Sequence, residues 1–435
     1  MRLIEMQVDR IVGPTHHFGG LGVGNVASAR HAGEVSNPAA AALEGLDKMR
    51  LVASLGAEQW ILPPQERPDY ELLDSLGFAG RDTGSLVDAL DQAPRILSAA
   101  MSCSAMWTAN AATVCPAIDS LPGRLSITIA NLNASLHRVI EAQATEADLR
   151  SLFGTVATVR TAVAGGSAMR DEGAANQMRL GGPDNQSGIH VFVYGDGQPH
   201  PHKHWPRQTL AASQAVVRNL RLDPSRVFFL KQHPRAIDAG AFHNDVVAAS
   251  HHNLLLFHES AYQDSGQLDR IAEAYREAFD RELVRVQVSE NQLPLANAIT
   301  TYLFNSQIVS PADPSAGPVL ICPAQVQTDL RAGRLVASWR DERRLFSEVH
   351  FVELGQSMSG GGGPACLRLR IPVTKDQLDR LPKRARWSAA LDGQLREVIE
   401  THYPSRLTLA DLASDDVVRK AQQTQRRLRE ILTTG

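Results

Sequence analysis

The chain is poor in the features that mark most specialised protein classes. It has four cysteines in 435 residues, Cys103, Cys115, Cys322 and Cys366, and no CxxC pair. That scarcity argues against a disulfide framework or a cysteine zinc site and suits a reducing compartment. No apolar run approaches the roughly 18 residues of a membrane-spanning helix. Met1 to Arg10 alternates apolar and charged residues and lacks the basic start and apolar stretch of a secretion signal, so the expected location is the cytoplasm. The formal net charge is only -3, which offers nothing to attract nucleic acid or an anionic membrane. No HExxH is present, and no glycine-rich loop ends in the GKS or GKT of a P-loop.

What is present is an ordinary globular composition, 43% hydrophobic and 21% charged, enough to bury a large core. Leu125, Ile127 and Ile129 alternate with polar residues, as do Val284, Val286 and Val288, and Leu367, Leu369 and Ile371. Period two predicts strands with one buried face. Val227 to Leu230, Leu254 to Phe257 and Val319 to Ile321 are continuous apolar runs, which predict strands covered on both faces. Asn37 and Pro38 open a helical pattern that Gly56 ends. A second helix carries Leu268, Ile271, Tyr275 and Phe279 on one face. Further helices are expected over 211–220, 375–381, 391–402 and 409–432. No linker divides the chain, and no sequence repeat is evident. The strand and helix alternation fits a doubly wound sheet or a set of ββαβ units, and periodicity does not choose between them.

Two glycine-dense stretches stand out, Gly19 to Gly24 and Gly360 to Gly363. The second delivers Cys366 to the start of a patterned strand, a way to hold a nucleophile on a rigid element with bare backbone beside it. Taken alone, a cysteine reads equally as a small buried hydrophobe. The other three cysteines lack such a context and read as structural. His243 stands two residues before Asp245, and the pair shares a side if the segment is extended. Imidazole suits acid/base work near neutral pH. Glu172 lies in a polar loop, where a solvated acid is the common case and a histidine partner the functional one. The first glycine stretch is not a nucleotide loop, because the first patterned helix starts more than ten residues later. His200, His202 and His204 read as a solvated loop. Neither they nor His16 and His17 form a clear carboxylate–histidine metal pattern.

Several segments together resemble the N-succinylarginine dihydrolase family. They are Thr15-His-His-Phe-Gly-Gly-Leu21, Val35-Ser-Asn-Pro38, Pro63-Pro-Gln-Glu-Arg-Pro68, Ala109-Asn-Ala-Ala112, Asn131-Leu-Asn133 followed by His137 and Arg138, Asp171-Glu-Gly-Ala-Ala-Asn176, Phe242-His-Asn-Asp245, Thr301-Tyr-Leu-Phe-Asn-Ser306 and Gly361-Gly-Gly-Pro-Ala-Cys366. They agree in order and spacing from about residue 3 to near residue 430. The resemblance implies an α/β fold, a five-bladed propeller of ββαβ-type units (the pentein fold), as one catalytic domain over residues 1–435. It implies Cys366 as nucleophile, His243 as general acid/base and Glu172 as its partner. By the same carry-over Asn110 and Asp245 hold the guanidinium. His137, Arg138, Arg207 and the loop of Gly19, Gly20, Leu21, Gly22, Val23, Gly24, Asn25, Val26, Ala27 and Ser28 contact the rest of the substrate. The family pattern has asparagine before its three glycines, and here Gly360 stands in that substrate-contacting position.

The activity so implied is hydrolysis of N2-succinyl-L-arginine to N2-succinyl-L-ornithine, two ammonia and carbon dioxide in arginine catabolism. The implied assembly is a cytoplasmic homodimer that needs no metal or cofactor. Arginines suit the two carboxylates of such a substrate, and Asp245 suits its guanidinium. Two alternatives stay open at this stage. One is a deiminase-like enzyme that stops at the ureido product, and the other is a non-catalytic binding member of the propeller fold.

Overall fold

A computed structural model describes residues 3–182, 187–313 and 316–433. The described residues form five three-stranded sheets built to one plan. In each, a first strand runs antiparallel to a middle strand, and the middle strand runs parallel to a third. The first sheet joins Arg368–Val373, Ile4–Arg10 and Glu58–Leu62, so strands from opposite ends of the chain share it. The second is Ala112–Cys115, Leu125–Ile129 and Ala157–Arg160. The third is Gln177–Gly181, Gly188–Tyr194 and Val227–Lys231. The fourth is Ala248–His251, Leu254–His258 and Val284–Val288, and the fifth Gln307–Val309, Val319–Pro323 and Glu348–Val352.

Parallel pairing needs a crossover, and each sheet has a helix between its middle and third strands. These are Pro38–Ser54, Glu141–Phe153, Leu210–Leu220, Ser265–Phe279 and Leu330–Asp341. The unit therefore repeats structurally although no repeat is visible in the residues. Apolar patterning alone is enough to specify each copy. Pro38–Ser54 starts as expected, with Asn37 accepting from the Ala40 N–H at 2.9 Å, a cap that stabilises by about 1 kcal/mol. Gly56 closes it at a φ of +80°. The helix carries buried Lys48, which pairs with Asp9 on the central strand of the first sheet.

Two burial expectations are corrected. Leu125–Ile129 is buried at all five positions, polar ones included, because it is the middle strand of its sheet. Val227, Phe228 and Phe229 are only half-buried, because their strand is the outer one. The segment expected as one helix over 409–432 is split into a short 3-10 turn, Ala410–Ala413, and a helix, Asp415–Thr433. No helix among the described residues is long and apolar enough to cross a membrane.

Candidate functional site

Five sheets deliver one segment each to a common place, from the turn before the first strand. Asn110 ends the 3-10 turn Thr108–Asn110, just before Ala112–Cys115. Glu172 precedes the turn Gly173–Asn176, which leads into Gln177–Gly181. His243 and Asp245 flank the start of Asn244–Val246, ahead of Ala248–His251. Asn305 ends Leu303–Asn305, and Cys366 lies two residues before Arg368–Val373. The segment around His243 and Asp245, which would set both on one side if extended, is a 3-10 turn over Asn244–Val246.

Cys366 is 2% exposed. Its thiol is held from two sides. The Asn305 side-chain amide donates to Sγ at 3.1 Å, and Sγ–H donates to the Asp245 carboxylate at 3.4 Å. The Cys366 N–H donates to the Asn305 side-chain oxygen Oδ1 at 3.2 Å, so one asparagine side chain fixes both backbone and sulfur. Close approach explains two of the glycines before it. Gly361 has a φ of +107°, and a Cβ there would run into the Asn25 amide. A Cβ on Gly363 would lie 2.8 Å from Asn305 Oδ1. Burial pushes the thiol well above its ordinary range, and the charge of Asp245 adds to the shift. The resting group is therefore a neutral thiol.

His243 and Glu172 form a second buried pair, with Nε2 to Oε2 at 2.8 Å. Burial alone would raise the Glu172 carboxyl. The hydrogen bond and charge of His243, with Arg138 and Arg207, outweigh it and hold Glu172 at about 2. Glu172 is thus ionised, and Nε2 carries the proton that it accepts. Burial lowers His243 despite this partner, which leaves the ring neutral and Nδ1 without a hydrogen-bond partner. A neutral imidazole with one free nitrogen is equipped to take up a proton.

Around this pair, Asn110 donates to the Glu172 backbone carbonyl at 2.8 Å and accepts from Arg138 Nη1 at 3.3 Å. Arg138 Nε and Nη2 are buried without a hydrogen-bond partner. Arg207 stacks on Phe242 at 4.6 Å and donates through Nε to the Val23 carbonyl at 2.9 Å. His137 is buried, and desolvation with Arg138 and Arg207 beside it keeps it neutral.

One cavity gathers Cys366, His243, Asn110, His137, Arg138, Arg207 and Gly360 with Gly19, Gly20, Leu21, Gly22, Asn25 and Ser28. Val23 reaches it only through the carbonyl that holds Arg207, and Gly24, Val26 and Ala27 do not line it. Glu172 stands behind His243, and Asp245 lines a separate cavity on the other side of the thiol. Gly360 lies under the Trp107 indole, where a Cβ would meet Cζ2 at 3.1 Å. An asparagine here has to displace that ring slightly.

Some features escaped the sequence. A helix, Val26–Arg30, starts directly after the first glycine stretch, with Asn25 accepting from the Ser28 N–H at 3.0 Å. It has only five residues and a local cap, too little periodicity to see. Asn305 had no role assigned. Its position in the turn before a first strand, matching Asn110 and Cys366, was the available signal. His16 and His17 line the cavity. Glu5, His251 and His252 offer ligand atoms within 4.8 Å of one another, a carboxylate–histidine group that residues 246 positions apart could not announce. Both Nε2 atoms meet the Ser310 hydroxyl, and Arg370 Nε lies 3.3 Å from Glu5. His200 and His202 are exposed, as expected of a solvated loop.

Asp245→Asn tests the electrostatics of the thiol. Removing the carboxylate charge lowers the pKa of Cys366, so iodoacetamide should label that residue at pH 8 on the order of tenfold faster. Peptide mass spectrometry reads the rate. An unchanged or slower rate would show that Asp245 does not hold the thiol protonated.

The fold thus sets a cysteine, a histidine–carboxylate pair and two arginines around one cavity. It is similar to the N-terminal domain of ArgZ, an arginine dihydrolase from the ornithine–ammonia cycle in cyanobacteria. The TM-score is 0.53 at 14% identity, over 84% of this chain and 97% of that domain. The succinylarginine dihydrolase family model matches residues 2–435, and the chain belongs to that family. It is 42% identical to the N-succinylarginine dihydrolase of Chromohalobacter salexigens over 99% of this chain and 97% of the relative. It is 40% identical to that of Yersinia enterocolitica, with the same two coverages.

Proposed function

We propose that the protein hydrolyses N2-succinyl-L-arginine to N2-succinyl-L-ornithine, two ammonia and carbon dioxide, as a step of arginine catabolism. The observation that carries the reading is the Cys366 thiol between Asn305 and Asp245 in a cavity that His243 also lines. The substrate has one cationic and one doubly anionic end. Asp245 suits the first, and Arg138 and Arg207 suit the second. A bound guanidinium cancels the charge of Asp245, which removes one of the two causes that keep the thiol protonated. His243 Nδ1 takes the proton, and the thiolate attacks the guanidinium carbon. The protonated His243 returns the proton to the departing nitrogen, which leaves as ammonia. Water, activated by His243, then displaces the sulfur from the covalent thiouronium and gives the ureido compound. A second round of attack expels the second ammonia and leaves a thiocarbamate. Its hydrolysis gives a carbamic acid, which loses carbon dioxide.

The enclosed space is about 50 Å³, too small for this substrate, so the Gly19–Ser28 loop moves aside on entry. The same reading closes the five sheets into a propeller in one domain over residues 1–435. The first strands that share one cavity, and the terminal strands that share one sheet, support it. It also takes the protein as a cytoplasmic homodimer, which light scattering checks.

Product analysis tests the activity. Two ammonia and one succinylornithine per substrate are expected, and one ammonia with succinylcitrulline would replace this reading by a deiminase. Specificity is a second test. A lost charge-assisted hydrogen bond costs roughly 1.5–3 kcal/mol, so free arginine should react with a kcat/KM lower by about 100-fold or more. Arg207→Ala should narrow that gap. Comparable constants for the two substrates in the unaltered protein would contradict the succinylated substrate and leave guanidine chemistry intact.

A further inference from the structure

Behind Cys366 lies a second cavity, of about 110 Å³, that shares none of its lining with the Gly19–Ser28 loop. The first strand of every sheet contributes to its wall, through Val114, Gln177, Ala249, Ile308 and Arg370. It reaches the catalytic cluster at one end, where Asp245, Ala365 and Arg368 line it. That volume holds several waters or one ion of a few heavy atoms.

Arg368 is the anomaly. It follows the nucleophile by two positions, and its Nε is fully buried without a partner. Among the described residues its side chain forms no hydrogen bond and no ion pair. Burial, and then the charge of Arg370, bring its pKa down to about 9, so it remains a cation at neutral pH. Arg368 as a whole is only half-buried, but an enclosed Nε–H without an acceptor is costly. The nearby carboxylates attract Arg368 through charge but none lies in hydrogen-bond contact with it. Glu5 faces Arg370 at 3.3 Å, Asp9 pairs with Lys48, and one oxygen of Asp245 receives the Cys366 thiol. Arg370 is itself anchored, donating to the carbonyls of Ser250 at 3.2 Å and Ile308 at 3.3 Å. The cavity is therefore lined by Arg368 and Arg370 against Glu5 and Asp245, and two of its polar atoms, Arg368 Nε and Asp245 Oδ1, are left without a hydrogen-bond partner.

We infer that this cavity is a binding site for a small planar oxyanion of the bicarbonate class. The O–C–O edge of bicarbonate matches the two parallel N–H groups of a guanidinium. Its single O–H has an acceptor in Asp245, whose Oδ1 is buried without a hydrogen-bond partner. The reaction proposed above releases carbon dioxide, which hydrates to bicarbonate. The source of the anion rests on that reading, and the site does not.

The experiment compares the full-length protein with Arg368→Gln and Arg368→Lys, freed of carbonate and melted at pH 8 in matched bicarbonate, nitrate or chloride. Near-saturating bicarbonate should raise the Tm of the unaltered protein by about 2–4 °C. Nitrate, planar but without an O–H, should do less, and chloride least. Arg368→Gln should lose the bicarbonate increment and, relieved of the enclosed Nε–H, melt no lower than the unaltered protein in anion-free buffer. Arg368→Lys keeps the charge without the fork and should retain part of the increment. It carries the comparison if the glutamine variant does not fold. Equal protection by bicarbonate and chloride, or full protection in both variants, overturns the site. Bicarbonate should also inhibit turnover, because it shares Asp245 with the guanidinium, and inhibition that persists unchanged in Arg368→Gln would place the anion in the front cavity and overturn the proposal. Ammonia counted in the same samples keeps the two readings apart, because bicarbonate protection without succinylarginine turnover would sink the activity and leave the site standing.

Discussion

Cys366→Ser should give a folded protein whose turnover has fallen by on the order of 10⁴-fold or more. The substitution keeps the size of the side chain, and its neighbours are hydrogen-bonding groups, Asn305 above the sulfur and Asp245 beside it. A hydroxyl satisfies both, so the melting temperature should barely change. The chemistry does not survive, because a hydroxyl is a far poorer nucleophile than a thiolate and is hardly ionised at neutral pH. This site makes ionisation harder still, since burial and the Asp245 carboxylate push even a thiol well above its ordinary range. Ammonia release measures the loss, and substrate protection against melting measures retained binding. More than a few per cent of the original activity would remove Cys366 from the role of nucleophile.

Glu172→Gln and His243→Ala should each lower kcat by roughly 10²–10⁴-fold, with little further loss in the double variant. The two groups meet at 2.8 Å with no solvent between them. A glutamine keeps the shape but offers an N–H donor or a neutral acceptor where a carboxylate stood. With the donor turned inward, His243 is forced to carry its proton on Nδ1, the nitrogen that must receive one. Loss of the charge also removes the carboxylate that offsets Arg207 and leaves Arg138 with Glu141 alone, at 3.5 Å. Steady-state kinetics of the two single variants and the double variant decide the matter. If the double loss equals the product of the single losses, the residues act independently and the pairing has no catalytic meaning.

Much of the fold was legible because its units are locally encoded. The helix from Pro38, its Asn37 cap and its Gly56 stop all lie where the residues put them. So do the alternating strand Val284–Val288 and the helix over Ser265–Phe279. Burial was less legible. Leu125–Ile129 looked half-exposed and is fully enclosed, since a serine and a threonine are acceptable inside when the strand lies between two others. The short helix Val26–Arg30 and the 3-10 turns before the first strands were invisible, because three to five residues carry no readable period. Most of the candidate site was readable only through the resemblance. Glu172 looked like a solvated acid, and nothing near it in the chain announces His243.

By itself the sequence determined the alternation of strands and helices, the glycine turn that frees space before Cys366, and the family. Periodicity, caps and turns depend on neighbours within a few positions, so they can be read without the fold. Only the tertiary structure decided which chemical groups meet. His243 and Glu172 are 71 positions apart, Cys366 and Asp245 are 121 apart, and Asn25 reaches Gly361 across 336. These contacts exist because five sheets each bring one turn to the same place, and no local rule fixes how separate sheets are set against one another. The protonation states follow from the same convergence. Burial and the charges that surround each group set them, and those come from distant segments of the chain.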